Sequence, residues 1–167
     1  MRVFGLAGWS GSGKTTLMAA LIPEFGSRGL TVSTIKHAHH AFDIDQPGKD
    51  SWLHRQAGAR EVMVGSDRRW ALMHELRDEP EPPLDELLGR LSPVDVVLVE
   101  GFKRHSHRKI EVYRRSLGKP LLHPDDPHII AIASDEEIRG APVPWLSLSD
   151  AGAIAGFLLG HDDGRVR

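Results

Sequence analysis

Apolar and polar positions along this chain follow two rhythms, and their alternation sets out the elements. Residues 2–7 are a short, mostly apolar run that stops at Gly8, the pattern of a strand buried on both faces. Leu17, Leu21 and Phe25 recur every fourth residue and predict a helix starting near Lys14. Pro23 is expected to kink that helix or end it early, and Gly29 to stop it. A second strand is predicted over 30–36, an irregular stretch over 37–48, and a short helix capped by Asp50 or Ser51 that ends near Gly58. Two strand-like runs at 61–65 and 70–75, separated by Ser-Asp-Arg-Arg, predict a β-hairpin, and the proline-rich, acidic 78–83 an exposed connector. Leu84, Leu87, Leu88 and Leu91 have the spacing of one buried helix face. Strands are expected at 94–99, 109–114, 129–133 and 143–148, then a helix over 149–159 and a frayed polar tail at 161–167.

Strands alternating with helices imply an α/β fold with a mostly parallel sheet flanked by helices. The hairpin near 61–75 and the strand at 109–114 are expected to add antiparallel pairs. The 167 residues suit one domain, expected over 1–160. With 40% hydrophobic and 26% charged residues and a net charge of −2, collagen-like, coiled-coil and disordered readings drop out. The near-zero charge gives no overall field for nucleic acid or a membrane surface, so neither is an expected partner. No cysteine is present, which excludes a disulfide framework, an iron–sulfur cluster and a Cys-based zinc site. No apolar run has the length of a membrane span, and a cytoplasmic location is expected.

The sharpest chemical signal is Gly8-Trp9-Ser10-Gly11-Ser12-Gly13-Lys14-Thr15, then Thr16. It fits GxxxxGK(S/T) and falls between a predicted strand and a predicted helix, the context of a P-loop nucleotide-binding fold. Glycines let successive backbone N–H groups face phosphate oxygens at the positive end of the helix. Lys14 is expected to neutralise the β and γ phosphates, and Thr15 to offer its hydroxyl to magnesium. The metal also needs a carboxylate. Ligands of open α/β sheets sit beyond the carboxyl ends of the strands, and strand rise separates Asp95 from Glu100 by roughly 16 Å. Glu100 is at the right end, either as a metal and catalytic carboxylate or as a cap on the turn before Gly101.

The segment 36–50, Lys-His-Ala-His-His-Ala-Phe-Asp-Ile-Asp-Gln-Pro-Gly-Lys-Asp, leaves the second strand at the same edge. Asp43 and Asp45 are catalytic candidates, touching magnesium through water or positioning an attacking water; the alternative is a solvated loop. His37, His39 and His40 either contact anions or ligate a transition metal. Together, GWSGSGKTT, IKHAHHAFDIDQPGKDS with His54 and Ala57-Gly58-Ala59, and VEGFK at 99–103 resemble the bacterial molybdopterin-guanine dinucleotide biosynthesis adaptors, the MobB family. The motifs cover residues 8 to about 103. The resemblance implies a GTP- and magnesium-binding homodimer that assists the molybdenum cofactor guanylyltransferase, at most a weak GTPase, with pterin chemistry left to the partner.

Guanine selection rests mainly on that resemblance, since the chain has no Asn-Lys-x-Asp motif. Asp135, after the strand at 129–133, is the best candidate for reading the base, although Ser134 and Glu137 give it an equal claim to starting a helix. The basic run 103–109 either receives the phosphate of molybdopterin, meets an acidic partner face, or is simply solvated. Two rivals stand beside the adaptor reading. A P-loop small-molecule kinase would need 103–109 as its lid, and a metal-delivery GTPase would use the histidine cluster.

Overall fold

The first apolar run is strand β1 (Arg2–Ala7), buried from Val3 onward, in a computed structural model that describes residues 1–38, 42–103 and 105–161. Helix α1 (Lys14–Ser27) follows and does not end at Pro23. Pro23 and Ala19, whose carbonyl loses its amide partner there, are both exposed, so water can satisfy that carbonyl. Next come β2 (Val32–Lys36), α2 (Asp50–Gln56), β3 (Glu61–Gly65), β4 (Trp70–His74), α3 (Leu84–Gly89), β5 (Val96–Glu100), β6 (Lys109–Tyr113), β7 (Ile129–Ser134), β8 (Trp145–Ser147) and α4 (Ala151–Gly160). Among the described residues no helix is long and apolar enough to cross a membrane.

The chain divides into two compact units, Met1–His37 with Leu84–Arg167, and Ala38–Pro83. The first is built on a six-stranded sheet in the order β2-β5-β1-β6-β7-β8. All of its pairings are parallel. The expected antiparallel pairing at 109–114 is therefore corrected: β6 lies between β1 and β7 and runs with both. Its predecessor β5 is not its neighbour: β1 lies between them, so β5 and β6 do not form a hairpin.

Side-chain alternation divides the core. Phe4, Leu6, Val96, Leu98, Ile110 and Val112 pack with α1 and α4, while Val3, Val97 and Val99 pack with Leu84 and Leu88 of α3. Among the described residues no α-helix joins β5 to β6 or β6 to β7. Two buried charges of β6 anchor those connections instead. Lys109, 1% exposed, donates through Nζ to the His105 carbonyl (2.6 Å) and Asp126 Oδ2 (2.9 Å). The buried carboxylate of Glu111 accepts from the Leu122 and His123 amides (2.7 and 2.9 Å), although burial pushes its pKa up.

In the second unit, β3 and β4 form the antiparallel hairpin over 61–74. Arg55 of α2 holds three carboxylates, Asp43 (2.7 Å), Asp45 (3.2 Å) and Glu75 (2.7 Å). These bonds raise the pKa of the guanidinium and lower that of Asp43. Neither expected cap of α2 is one: Lys49 precedes the helix, Asp50 lies in its first turn, and Ser51 Oγ donates to Asp45 Oδ1 (2.8 Å). At α4 the cap is Asp150, which accepts from the Ala153 amide (2.8 Å).

Candidate functional site

β1 ends where the chain must turn sharply into α1, and backbone clearance explains the glycines. A Cβ on Gly8 would stand 2.4 Å from the Val112 carbonyl oxygen of the neighbouring strand, so only glycine fits. Gly13, at the N-cap of α1, has φ 103°, the left-handed region. The turn and its surroundings border an open cavity of about 430 Å³ lined by Ser10, Gly11, Gly13, Lys14, Thr15, Thr16, Lys36 and Glu100.

Lys14 curls over the turn, its Nζ donating to the carbonyls of Gly8 (3.0 Å) and Trp9 (2.9 Å). Burial holds its ammonium below the usual lysine pKa, while the charge of Glu100 acts the other way. Thr15 Oγ1 donates to Glu100, lying 3.3 Å from each carboxylate oxygen. Lys36 Nζ is 3.9 Å from Glu100 Oε2. Ser12 Oγ is buried with no hydrogen-bond partner among the described residues. This combination of hydroxyl, carboxylate, two ammoniums and inward glycine backbone suits a polyanion carrying a hard cation.

Strand direction separates the two acids flanking β5. Glu100 closes the strand at the carboxyl edge. Asp95 precedes it at the opposite edge, accepting from the Thr31 amide (2.8 Å) and hydroxyl (2.7 Å), bonds that lower its pKa. After Glu100, Gly101 has φ +99°, and a Cβ there would stand 2.5 Å from His37 Cβ.

Asp43 and Asp45 sit in the second unit with their carboxylates on Arg55. His37 packs its ring against Phe102 at 4.9 Å; His39 and His40 lie outside the described residues. Among the described residues no group of three or more histidine or acidic side chains could hold a metal ion. Asp135 follows β7 and its Oδ2 accepts from Arg114 Nη1 at 2.8 Å. No helix starts there, so the Ser134–Glu137 capping pattern is not realised; Ser134 Oγ bonds the Glu136 carbonyl instead. The basic run is not one uniform patch. Lys109 is buried, Arg108 bonds the His161 carbonyl, Lys103 Nζ lies 5.4 Å from the Trp9 ring centre, and Arg104 is outside the described residues.

Two participants were not legible in the sequence. Arg114 Nε donates to the Ser12 carbonyl (3.1 Å), tying the turn to β6. Trp9 Nε1 donates to the Pro120 carbonyl (2.8 Å), with Lys119 on the ring at 5.8 Å. The available signal was position, since Arg114 follows a strand at the carboxyl edge.

Fold and site together define an α/β protein whose glycine-rich turn, with a lysine, a threonine and a strand-end glutamate, stands at the carboxyl edge of a parallel sheet. The chain belongs to the family of molybdopterin guanine dinucleotide synthesis protein B, MobB, whose family model matches residues 3–135. It is 43% identical over 160 residues to a molybdopterin-guanine dinucleotide biosynthesis adapter protein of Escherichia coli, covering 94% of this chain and 91% of that one. To the adapter protein of Haemophilus influenzae it is 43% identical over 136 residues, 80% of this chain and 74% of the relative. A crystal structure of molybdopterin-guanine biosynthesis protein B superposes with a TM-score of 0.75 at 29% identity, covering 95% of this chain and 98% of that one. A MobB homologue from Bacillus stearothermophilus gives 0.68 at 27%, over 96% and 97%.

Proposed function

We propose that this adapter of molybdopterin-guanine dinucleotide biosynthesis binds GTP with magnesium at the turn between β1 and α1, and in that state assists the molybdenum cofactor guanylyltransferase. The observation that carries the reading is the pairing of Thr15 Oγ1 with both Glu100 oxygens beside the Lys14 ammonium, at the cavity lined by the turn. Thr15 and Glu100 would hold the magnesium, which would neutralise charge on the β and γ phosphates. Backbone N–H groups of residues 10–15 would bond phosphate oxygens, and Lys14 would exchange its two carbonyls for phosphate. Asp135 is the candidate for reading the guanine edge, because a carboxylate offers the two acceptors that the edge's donors require. Any hydrolysis of the nucleotide would be slow.

A homodimer is part of the proposal. Met63 and Trp70 are 65% and 66% exposed on one face of the hairpin, with Leu72 between them, an apolar surface that a second copy would cover.

The two acids flanking β5 provide the test. Glu100→Gln should weaken the magnesium dependence of GTP affinity by tenfold or so, whereas Asp95→Asn should alter only stability. Titration of magnesium against GTP affinity in both variants reads this directly. Retention of the metal effect in Glu100→Gln would remove the magnesium assignment.

A further inference from the structure

We propose that Arg114 is the positioning residue that joins the two ends of the nucleotide site, holding the phosphate turn with one edge of its guanidinium and Asp135 with the other. This rests on the nucleotide reading above and adds a specificity-determining group to it. Arg114 is the first residue beyond β6 and Asp135 the first beyond β7, and the register Tyr113↔Ser134 sets them side by side past the carboxyl ends of the strands. From there Nε reaches the Ser12 carbonyl at 3.1 Å and Nη1 reaches Asp135 Oδ2 at 2.8 Å. The guanidinium also lies against the turn, since a Cβ at Gly13 would stand 3.6 Å from both Nε and Nη2.

Two consequences follow from this geometry. A peptide is planar and trans, so drawing the Ser12 carbonyl toward Arg114 aims the Gly13 N–H the opposite way. The arginine therefore fixes the orientation of an amide in the turn that is to receive phosphate. Its second edge bonds Asp135 Oδ2 and orients that carboxylate for a base. Only a fork reaches two divergent partners; a lysine ammonium has the charge but not the planar geometry. The ligand class is a purine nucleoside triphosphate, with phosphate and base sensed through one side chain.

The test measures affinities for Mg·GTP, Mg·ATP and inorganic tripolyphosphate by calorimetry in the parent, Arg114→Gln, Arg114→Lys, Asp135→Asn and the Arg114→Gln/Asp135→Asn double variant. Amide exchange of residues 10–15 is followed without nucleotide. Arg114→Gln should weaken all three ligands by about tenfold, equivalent to about 1.4 kcal/mol, lower the GTP to ATP ratio and speed exchange in the turn. Arg114→Lys, folded and of the same charge, should lose the ratio as well. Asp135→Asn should lower the ratio but leave tripolyphosphate unaffected, and the double variant should lower the ratio no further. Parent values for tripolyphosphate, ratio and exchange in Arg114→Gln would overturn the inference while the nucleotide reading stands. A parent that binds none of the three ligands removes the nucleotide reading, and the exchange rates then decide alone for or against the hold of Arg114 on the turn.

Discussion

At the residue scale, small clearances and buried polar groups set the outcomes. Gly101 combines φ +99° with a His37 Cβ only 2.5 Å from where its own Cβ would stand. Gly101→Ala must adopt a left-handed conformation and displace the chain at His37, at a cost of about 1–3 kcal/mol. The expected result is a fall in Tm of roughly 3–10 °C by thermal melt, and an unchanged Tm would contradict the described turn. His107 offers a second handle. Its ring nitrogens are buried without hydrogen-bond partners among the described residues, and burial, aided by the neighbouring charge of Lys109, lowers its pKa to about 4. The folded state thus refuses a proton that the unfolded chain accepts at its ordinary pKa near 6.5. The stability that depends on neutral His107 is whole above pH 6.5 and drains away as pH falls toward 4. Glu111, shifted up by burial, acts in the opposite direction. His107→Leu should therefore flatten the decline of Tm between pH 7 and 4.5, and parallel acid limbs in parent and variant would refute this origin.

At the scale of elements, the hairpin carries its own prediction. Met63↔Leu72 and Gly65↔Trp70 are cross-strand pairs, so Met63, Leu72 and Trp70 share one face. If a second copy covers that face, Trp70→Ser should shift the protein toward monomer in sedimentation velocity while the unfolding transition persists. A monomeric parent would dispose of the dimer. The elements also show what a linear reading can reach. Apart from Arg2 and Asp95, the runs at 2–7 and 94–99 are apolar because β1 and β5 are covered on both sides, so their type was legible and their parallel setting followed. The alternation Lys-Ile-Glu-Val-Tyr at 109–113 has the signature of a half-solvated antiparallel strand, yet β6 is buried on both faces. Its charges are satisfied by loop groups that come near only after folding. The same limit hid Arg114, whose partners Ser12 and Asp135 lie 102 and 21 residues away in sequence. The glycine-rich turn, by contrast, is written in consecutive residues, and the direction of β5 was enough to put Glu100, not Asp95, at the edge where that turn lies.

For the molecule as a whole, the order of strands in the sheet sets a timetable. β1 and β2 are made first but do not pair with each other; β5 lies between them, in register Arg2↔Val96 on one side and Val32↔Val96 on the other. On a ribosome adding about 5–20 residues per second, β1 waits on the order of 5–20 s for its first partner. Through that interval two strands with apolar positions have no sheet to join, and the glycine-rich turn after β1 has no rigid base, since the Val112 carbonyl against Gly8 arrives later still. The central sheet cannot grow outward from a finished hairpin; it closes when β5 is inserted. The nascent chain therefore leaves the apolar positions of both strands uncovered until β5 has emerged, and the turn after β1 gains its backing later again, when β6 follows.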